Sequence, residues 1–198
     1  MSETAFTTVE LWERHAMAIE DVTQRFLRVT AALDAANVPY ALVGGQAVAL
    51  WIATKDPEAV RVTKDVDLLV RRDDLPAVRK AGLSIGMDYF EVLGVGMLLE
   101  QDNPNPRRAV HLIWAGEKVR PENVLASPDI SDIHRHHSGK SVIPLLALVQ
   151  MKLMANRDQD RVHLRDMIGV DLLNRDMLTG LPPELATRLD ILLTEEGR

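Results

Sequence analysis

The sequence predicts a mixed α/β (α+β) protein: a small mixed sheet packed by an N-terminal helix and followed by a C-terminal helical bundle. Three observations predict it. Ile19, Val22, Phe26, Val29 and Leu33 recur at three- and four-residue steps, with Glu20, Asp21, Gln24, Arg25 and Arg28 between them, which is the spacing of a helix with one buried face. Short apolar runs bounded by Gly, Pro and Asn then succeed one another from Tyr40 to Ala115 and read as strands. From Ile143 the spacing becomes helical again, with Leu145, Leu148, Met151 and Ala155 on one face.

Asn37 and Pro39 stop the first helix, because asparagine tolerates a left-handed cap and proline cannot continue the ladder. Tyr40 to Val43 is the first strand, and a helix over Gln46 to Ile52 follows Gly44 and Gly45 directly. Thr54 to Val62, polar and containing Pro57, reads as a loop, and Asp65 to Val70 as a strand. Asp73 or Asp74 caps a short helix running toward Gly82, with Pro76 in its first turn. Tyr89 to Leu93, Met97 to Gln101 and Ala109 to Ala115 are further strands, the last with Val110, Leu112 and Trp114 on one face and His111, Ile113 and Ala115 on the other. Glu117 to Ser141 is expected to be irregular. Asp158 to Ile168 and Pro183 to Leu193 complete the helices.

The 198 residues, 46% hydrophobic, suffice for a real core. The expected division is a core with its N-terminal helix over 1–126 and a helical region packed on it over 127–198. With 23 basic and 29 acidic residues the net charge is -6, which argues against nucleic-acid binding driven by bulk charge and leaves a local basic strip open. There is no cysteine, so neither a disulfide framework nor a thiolate zinc site is available. No apolar stretch reaches membrane-spanning length, and the first thirty residues carry charges throughout; the expectation is a cytoplasmic protein with no membrane partner.

Candidate chemistry lies in two stretches. Gly44 and Gly45 let the backbone turn sharply and bring its amides, and the positive end of the next helix, close to an anion; the same pair also suits a tight turn with no ligand. Asp65 and Asp67, two apart on a strand, share one face, where they repel each other unless a divalent cation intervenes. A solvent-facing strand end is the plainer reading. His134-Arg135-His136-His137 lacks a metal-ligand spacing and reads as a basic surface loop.

Together, Gly44, Gly45, Asp65 and Asp67 resemble the signature of the polymerase-β-like nucleotidyltransferase superfamily, and Arg61-x-Thr63-x-Asp65-Val66-Asp67 is similar to the form in minimal nucleotidyltransferases and AbiEii-type toxins. The connection from Gln46 to Lys64 is longer than that family's usual gap. The resemblance implies that the glycine turn seats a triphosphate and that Asp65 and Asp67 bind Mg²⁺, with Mn²⁺ as an alternative. Leu148-Val149-Gln150-Met151-Lys152-Leu153 and the later His163-Leu164-Arg165-Asp166 are similar to the family's helical portion, which implies nucleotide-binding roles for Lys152 and Asp166. His111 departs from the pattern, standing where the family carries a third carboxylate that binds metal and helps deprotonate the attacking hydroxyl. Neutral imidazole is a poor magnesium ligand, and imidazolium would pair with Asp65 or Asp67 instead. Glu100 and Asp102 are the candidates for a replacement acid.

The expected function is metal-dependent transfer of NMP from an NTP to a hydroxyl on a protein, tRNA or small molecule, with a toxin-antitoxin setting implied by resemblance. The alternative is a catalytically degenerate nucleotide- or partner-binding module.

Overall fold

The computed structural model describes residues 7–136 and 138–198. Helix α1 (Thr8–Ala35) starts from a reciprocal cap: Thr7 Oγ1 accepts from the Glu10 amide at 3.3 Å, and the Thr7 amide donates to Glu10 Oε2 at 2.7 Å. Asn37, at φ 53, ends it in the left-handed conformation the sequence anticipated. Val22, Val29 and Leu33 are buried, whereas residues 7–18 are all exposed.

Strand β1 (Ala41–Leu42) leads through Val43 into α2 (Gly44–Ala53), which begins at the glycines rather than after them. A single 3-10 turn, Pro57–Ala59, interrupts the loop before β2 (Val66–Val70). Helix α3 (Leu75–Leu83), the hairpin β3 (Met87–Val92) and β4 (Val95–Glu100), and β5 (Val110–Trp114) follow within a few residues of their expected bounds. The stretch expected to be irregular contains β6 (His134–Arg135), and β7 (Ser141–Val142) follows at its end. Helices α4 (Leu145–Ala155), α5 (Asp158–Gly169) and α6 (Pro183–Glu195) complete the chain.

The sheet is mixed, in the order β3-β4-β5-β2-β1-β7-β6, with β2 parallel to β5 and β1 parallel to β7. Its last two strands come from beyond residue 127, so that part of the chain contributes to the sheet as well as to the helices. In β2, Val66, Leu68 and Val70 point to one side and Asp67 and Leu69 to the other, by the two-residue alternation of a strand. All four apolar residues have zero exposure, so this central strand is covered on both faces. One continuous core runs from Val22 of α1 to Leu193 of α6 and includes both the sheet and the C-terminal helices. Among the described residues no helix is long and apolar enough to cross a membrane.

Candidate functional site

The β1–α2 junction shows why glycine is required twice. Gly44 has φ +61, and a Cβ there would lie 1.9 Å from Asp67 Oδ2; a Cβ on Gly45 would lie 2.4 Å from Thr63 Oγ1. The glycines therefore let the Asp67 carboxylate and the Thr63 hydroxyl lie against the first turn of α2, where unpaired amides and the helix dipole favour negative charge. Asp65 stands one residue ahead of β2, exposed, rather than inside the strand as its alternation suggested.

Parallel pairing sets Asp67 beside His111, with Leu69 beside Ile113. His111 Nδ1 lies 3.3 Å from Asp67 Oδ1. That hydrogen bond raises the imidazole above its ordinary pKa, against the opposing effect of burial, and the charges of Asp67 and Asp65 add to the rise. His111 therefore protonates more readily than a free imidazole, and in that form it is a counter-ion for the Asp67 carboxylate.

Across from the sheet, α4 and α5 form a tight hairpin, because Asn156 at φ 46 ends α4 and α5 starts two residues later. The turn brings Asp160 back to Lys152, with 2.8 Å between Nζ and Oδ1 and side-chain exposures of 7% and 1%. Arg157 Nε also donates to Asp160, at 2.7 Å, while 66% of its side chain stays exposed. Burial alone would raise the Asp160 carboxyl, but the hydrogen bonds from Arg157 and Lys152 outweigh it and hold the group below the usual carboxylate range. The same hydrogen bond raises the Arg157 guanidinium, and the fields of Asp67 and Asp65 reach it as well.

Gly44, Gly45, Asp65, Asp67, His111 and Lys152 all line one cleft of about 340 Å³ between the sheet and the α4–α5 hairpin. Six of the seven sequence-derived positions are thereby brought together. Asp166 is not among the lining residues; it lies 2.8 Å from Arg61 Nε in an ion pair tying α5 to the approach to β2. Glu100 and Asp102 line a separate surface depression against α1, where Glu100 pairs with Arg28. His134 stacks on Trp51 with ring centroids 5.3 Å apart, and His137 lies outside the described residues. Sequence reasoning missed Arg157, Asp160, His163 and the contact role of Thr63. The available signal was Asn156 between two helical periods, which marks a hairpin and so places the start of α5 beside the end of α4.

Comparison with family models and with curated protein sequences finds no match. Among solved structures, the chain is similar to an antigenic nucleotidyltransferase-like protein from Paracoccidioides brasiliensis, with a TM-score of 0.52 and 19% identity over 85% of this chain and 86% of that one. It is also similar to the antibiotic-resistance factor ANT(2'')-Ia, with a TM-score of 0.50 and 13% identity over 88% of this chain and 94% of that one. The chain has the nucleotidyltransferase fold. Likeness at this level of identity defines the path of the chain through that fold, and the chemistry is argued from the side chains in the cleft.

The lining combines the carboxylates and the Lys152 and Arg157 cations with the apolar side chains of Leu125, Leu148, Met151 and Met154. A lining that mixes charged and apolar side chains in this way suits a ligand with both an anionic and an apolar part.

Proposed function

We propose that the protein is a cytoplasmic nucleotidyltransferase that moves NMP from an NTP to a hydroxyl acceptor. The observation that carries this reading is the convergence of Gly44, Gly45, Asp65, Asp67 and Lys152 on one cleft. The backbone amides of the glycine turn receive the phosphates, Lys152 and Arg157 neutralise them, and the methionine-lined wall takes the base.

Mg²⁺ is commonly held by one or two carboxylates, completed by substrate phosphates and water. Asp65 and Asp67 provide that donor set, and among the described residues no group of three or more acids or histidines forms a closed metal cage. The residues fit a cation shared with the substrate, and Mn²⁺ would tolerate His111 better. When bound, the cation supplies charge neutralisation and polarises the phosphoryl group. The chain's own residues orient the substrate: Asp160 fixes Lys152 in its buried position and holds Arg157, which lines the same cleft with most of its side chain exposed.

The 3.3 Å contact between His111 and Asp67 favours a second reading, in which the imidazolium occupies the carboxylate and the cleft binds a nucleotide or a protein partner without turnover. A toxin-antitoxin role rests on the motif resemblance alone.

Calorimetric titration with each NTP, with and without Mg²⁺ or Mn²⁺, tests the reading against the Asp65→Asn/Asp67→Asn variant. Metal-dependent binding that vanishes in the variant supports a nucleotide site built on the two aspartates, which transfer requires. Absence of nucleotide binding under every metal condition would sink it and leave partner binding.

A further inference from the structure

We propose that His163 is a phosphate-binding residue of the cleft, donating from Nε2 to the polyphosphate of the NTP beside the Lys152 ammonium. The inference rests on the transferase reading and adds a residue to it. His163 lines the cleft, half-buried, and the phosphate contacts given to the glycine turn, Lys152 and Arg157 leave it without a role. It stands three residues after Asp160 on α5, so the two side chains are neighbours on the helix surface, and Asp160 accepts from Lys152 Nζ at 2.8 Å. Among charged groups Lys152 acts most strongly on the ring, followed by Asp160, Asp166 and Arg157.

The two ring nitrogens differ in access. Nδ1 is shut off from solvent and has no hydrogen-bond partner among the described residues. Nε2 has no partner there either, but it is not shut off, so it is the nitrogen that a ligand in the cleft can reach. Burial, and then repulsion from Lys152, hold the ring below its ordinary pKa, so at pH 7 it is neutral and carries one proton. Unpaired buried N–H groups are rarer in folded proteins than acceptors with a free lone pair, which puts that proton on Nε2. His163 therefore presents a donor to the cleft. It has no accessible lone pair with which to deprotonate an acceptor hydroxyl, so the part of general base does not suit it.

The surroundings select an anionic acceptor for that donor. Both acids that act on the ring are already engaged: Asp160 by Lys152 and Arg157, and Asp166 by Arg61 at 2.8 Å. Lys152 gives one N–H to Asp160 and has two more to give. Neighbouring side chains thus hold donors that no protein acceptor uses, one set charged and one neutral. A phosphoryl group offers several acceptor oxygens and no donor, and its charge also answers the ammonium. A nucleobase or a ribose hydroxyl brings fewer acceptors and no charge. The neutrality of His163 suits the place as well, since in the empty cleft it adds a donor without adding repulsion against Lys152.

The test is calorimetric titration at pH 7 with Mg²⁺, comparing wild type, His163→Leu and His163→Gln. The probes are the NTP that wild type binds best, the matching free nucleoside, and inorganic pyrophosphate read by its competition with that NTP. His163→Leu removes the donor and should raise the Kd of NTP and pyrophosphate by about tenfold or more, leaving the nucleoside unaffected. Glutamine carries an amide N–H near the position of Nε2, so His163→Gln should recover most of the lost affinity. Urea unfolding at pH 7 checks that both variants are folded. Unchanged NTP affinity in His163→Leu, a loss shared by the nucleoside, pyrophosphate competing as well as before, or a glutamine variant as weak as the leucine one overturns the assignment and leaves the nucleotide site standing. Failure of wild type to bind any NTP removes the parent reading instead.

Discussion

At the residue scale the buried Lys152–Asp160 pair and the exposed Arg157 that joins it serve both folding and the cleft, and the two contributions separate by substitution. Lys152→Met leaves a buried carboxylate with only Arg157 as its cation. Loss of one partner from a buried pair costs about 3–5 kcal/mol; the remaining Arg157 contact puts the expected loss toward the lower end. Lys152→Met/Asp160→Leu should recover most of it, because no uncompensated charge remains. Urea unfolding of the two variants measures the difference, and nucleotide affinity, low in both, shows whether the ammonium also serves the ligand. The two cleft histidines carry opposite pH signatures. Burial, with repulsion from Lys152, lowers His163, so below about pH 6.5 the unfolded chain takes up a proton that the folded chain refuses, and stability falls as pH drops through that window. His111 is raised, chiefly by its hydrogen bond to Asp67, so its contribution is complete below about pH 6.5 and is lost as pH climbs through its folded value. His163→Gln should flatten the acid side of the stability profile and His111→Gln the alkaline side, read from urea midpoints between about pH 5 and 8.

At the element scale α1 divides into two parts with different expected stability. Leu33 has zero exposure and belongs to the core, whereas Leu11 is 53% exposed in a stretch where every residue from 7 to 18 is exposed. Leu33→Ala should cost about 2–5 kcal/mol, and Leu11→Ala should stay within about 0.5 kcal/mol. Hydrogen exchange should show residues 8–18 opening locally, with residues 22–33 protected up to global unfolding; equal protection along the helix would contradict this division. The buried half of α1 was legible because five apolar residues keep one face over four turns. The glycine pair and the aspartates were legible because each departs from what its element would otherwise contain. β6 and β7 were not, since two residues cannot display an alternation, and β7, on which β6 pairs, joins the sheet through β1, which lies about a hundred residues earlier. Asp160 was missed for a related reason: its importance comes from a hairpin contact, and its sequence position shows only an acid in the first turn of a helix, which the dipole alone would explain.

At the scale of the whole molecule the cleft joins parts of the chain that are distant in sequence. Its carboxylates and glycines come from the β1–α2–β2 segment, its third side from β5, and its cations from α4 and α5. A ligand that touches all of them binds the folded state and not the unfolded chain, so it stabilises by mass action, by about 2.7 kcal/mol at one hundred times its Kd. Because α4 and α5 share one core with the sheet, that stabilisation should appear as a shift of a single unfolding transition. The expected outcome is a metal-dependent rise in Tm with NTP that scales with the logarithm of ligand concentration and is absent in Asp65→Asn/Asp67→Asn. The variant must be judged with its own baseline. Removing two neighbouring negative charges relieves their repulsion but also takes the charged partner from His111, so its ligand-free Tm reports which of the two effects is larger. A variant that starts higher yet gains nothing from nucleotide would place the carboxylates in ligand binding rather than in holding the fold, whereas a variant that starts lower would assign Asp67 a structural share through its contact with His111.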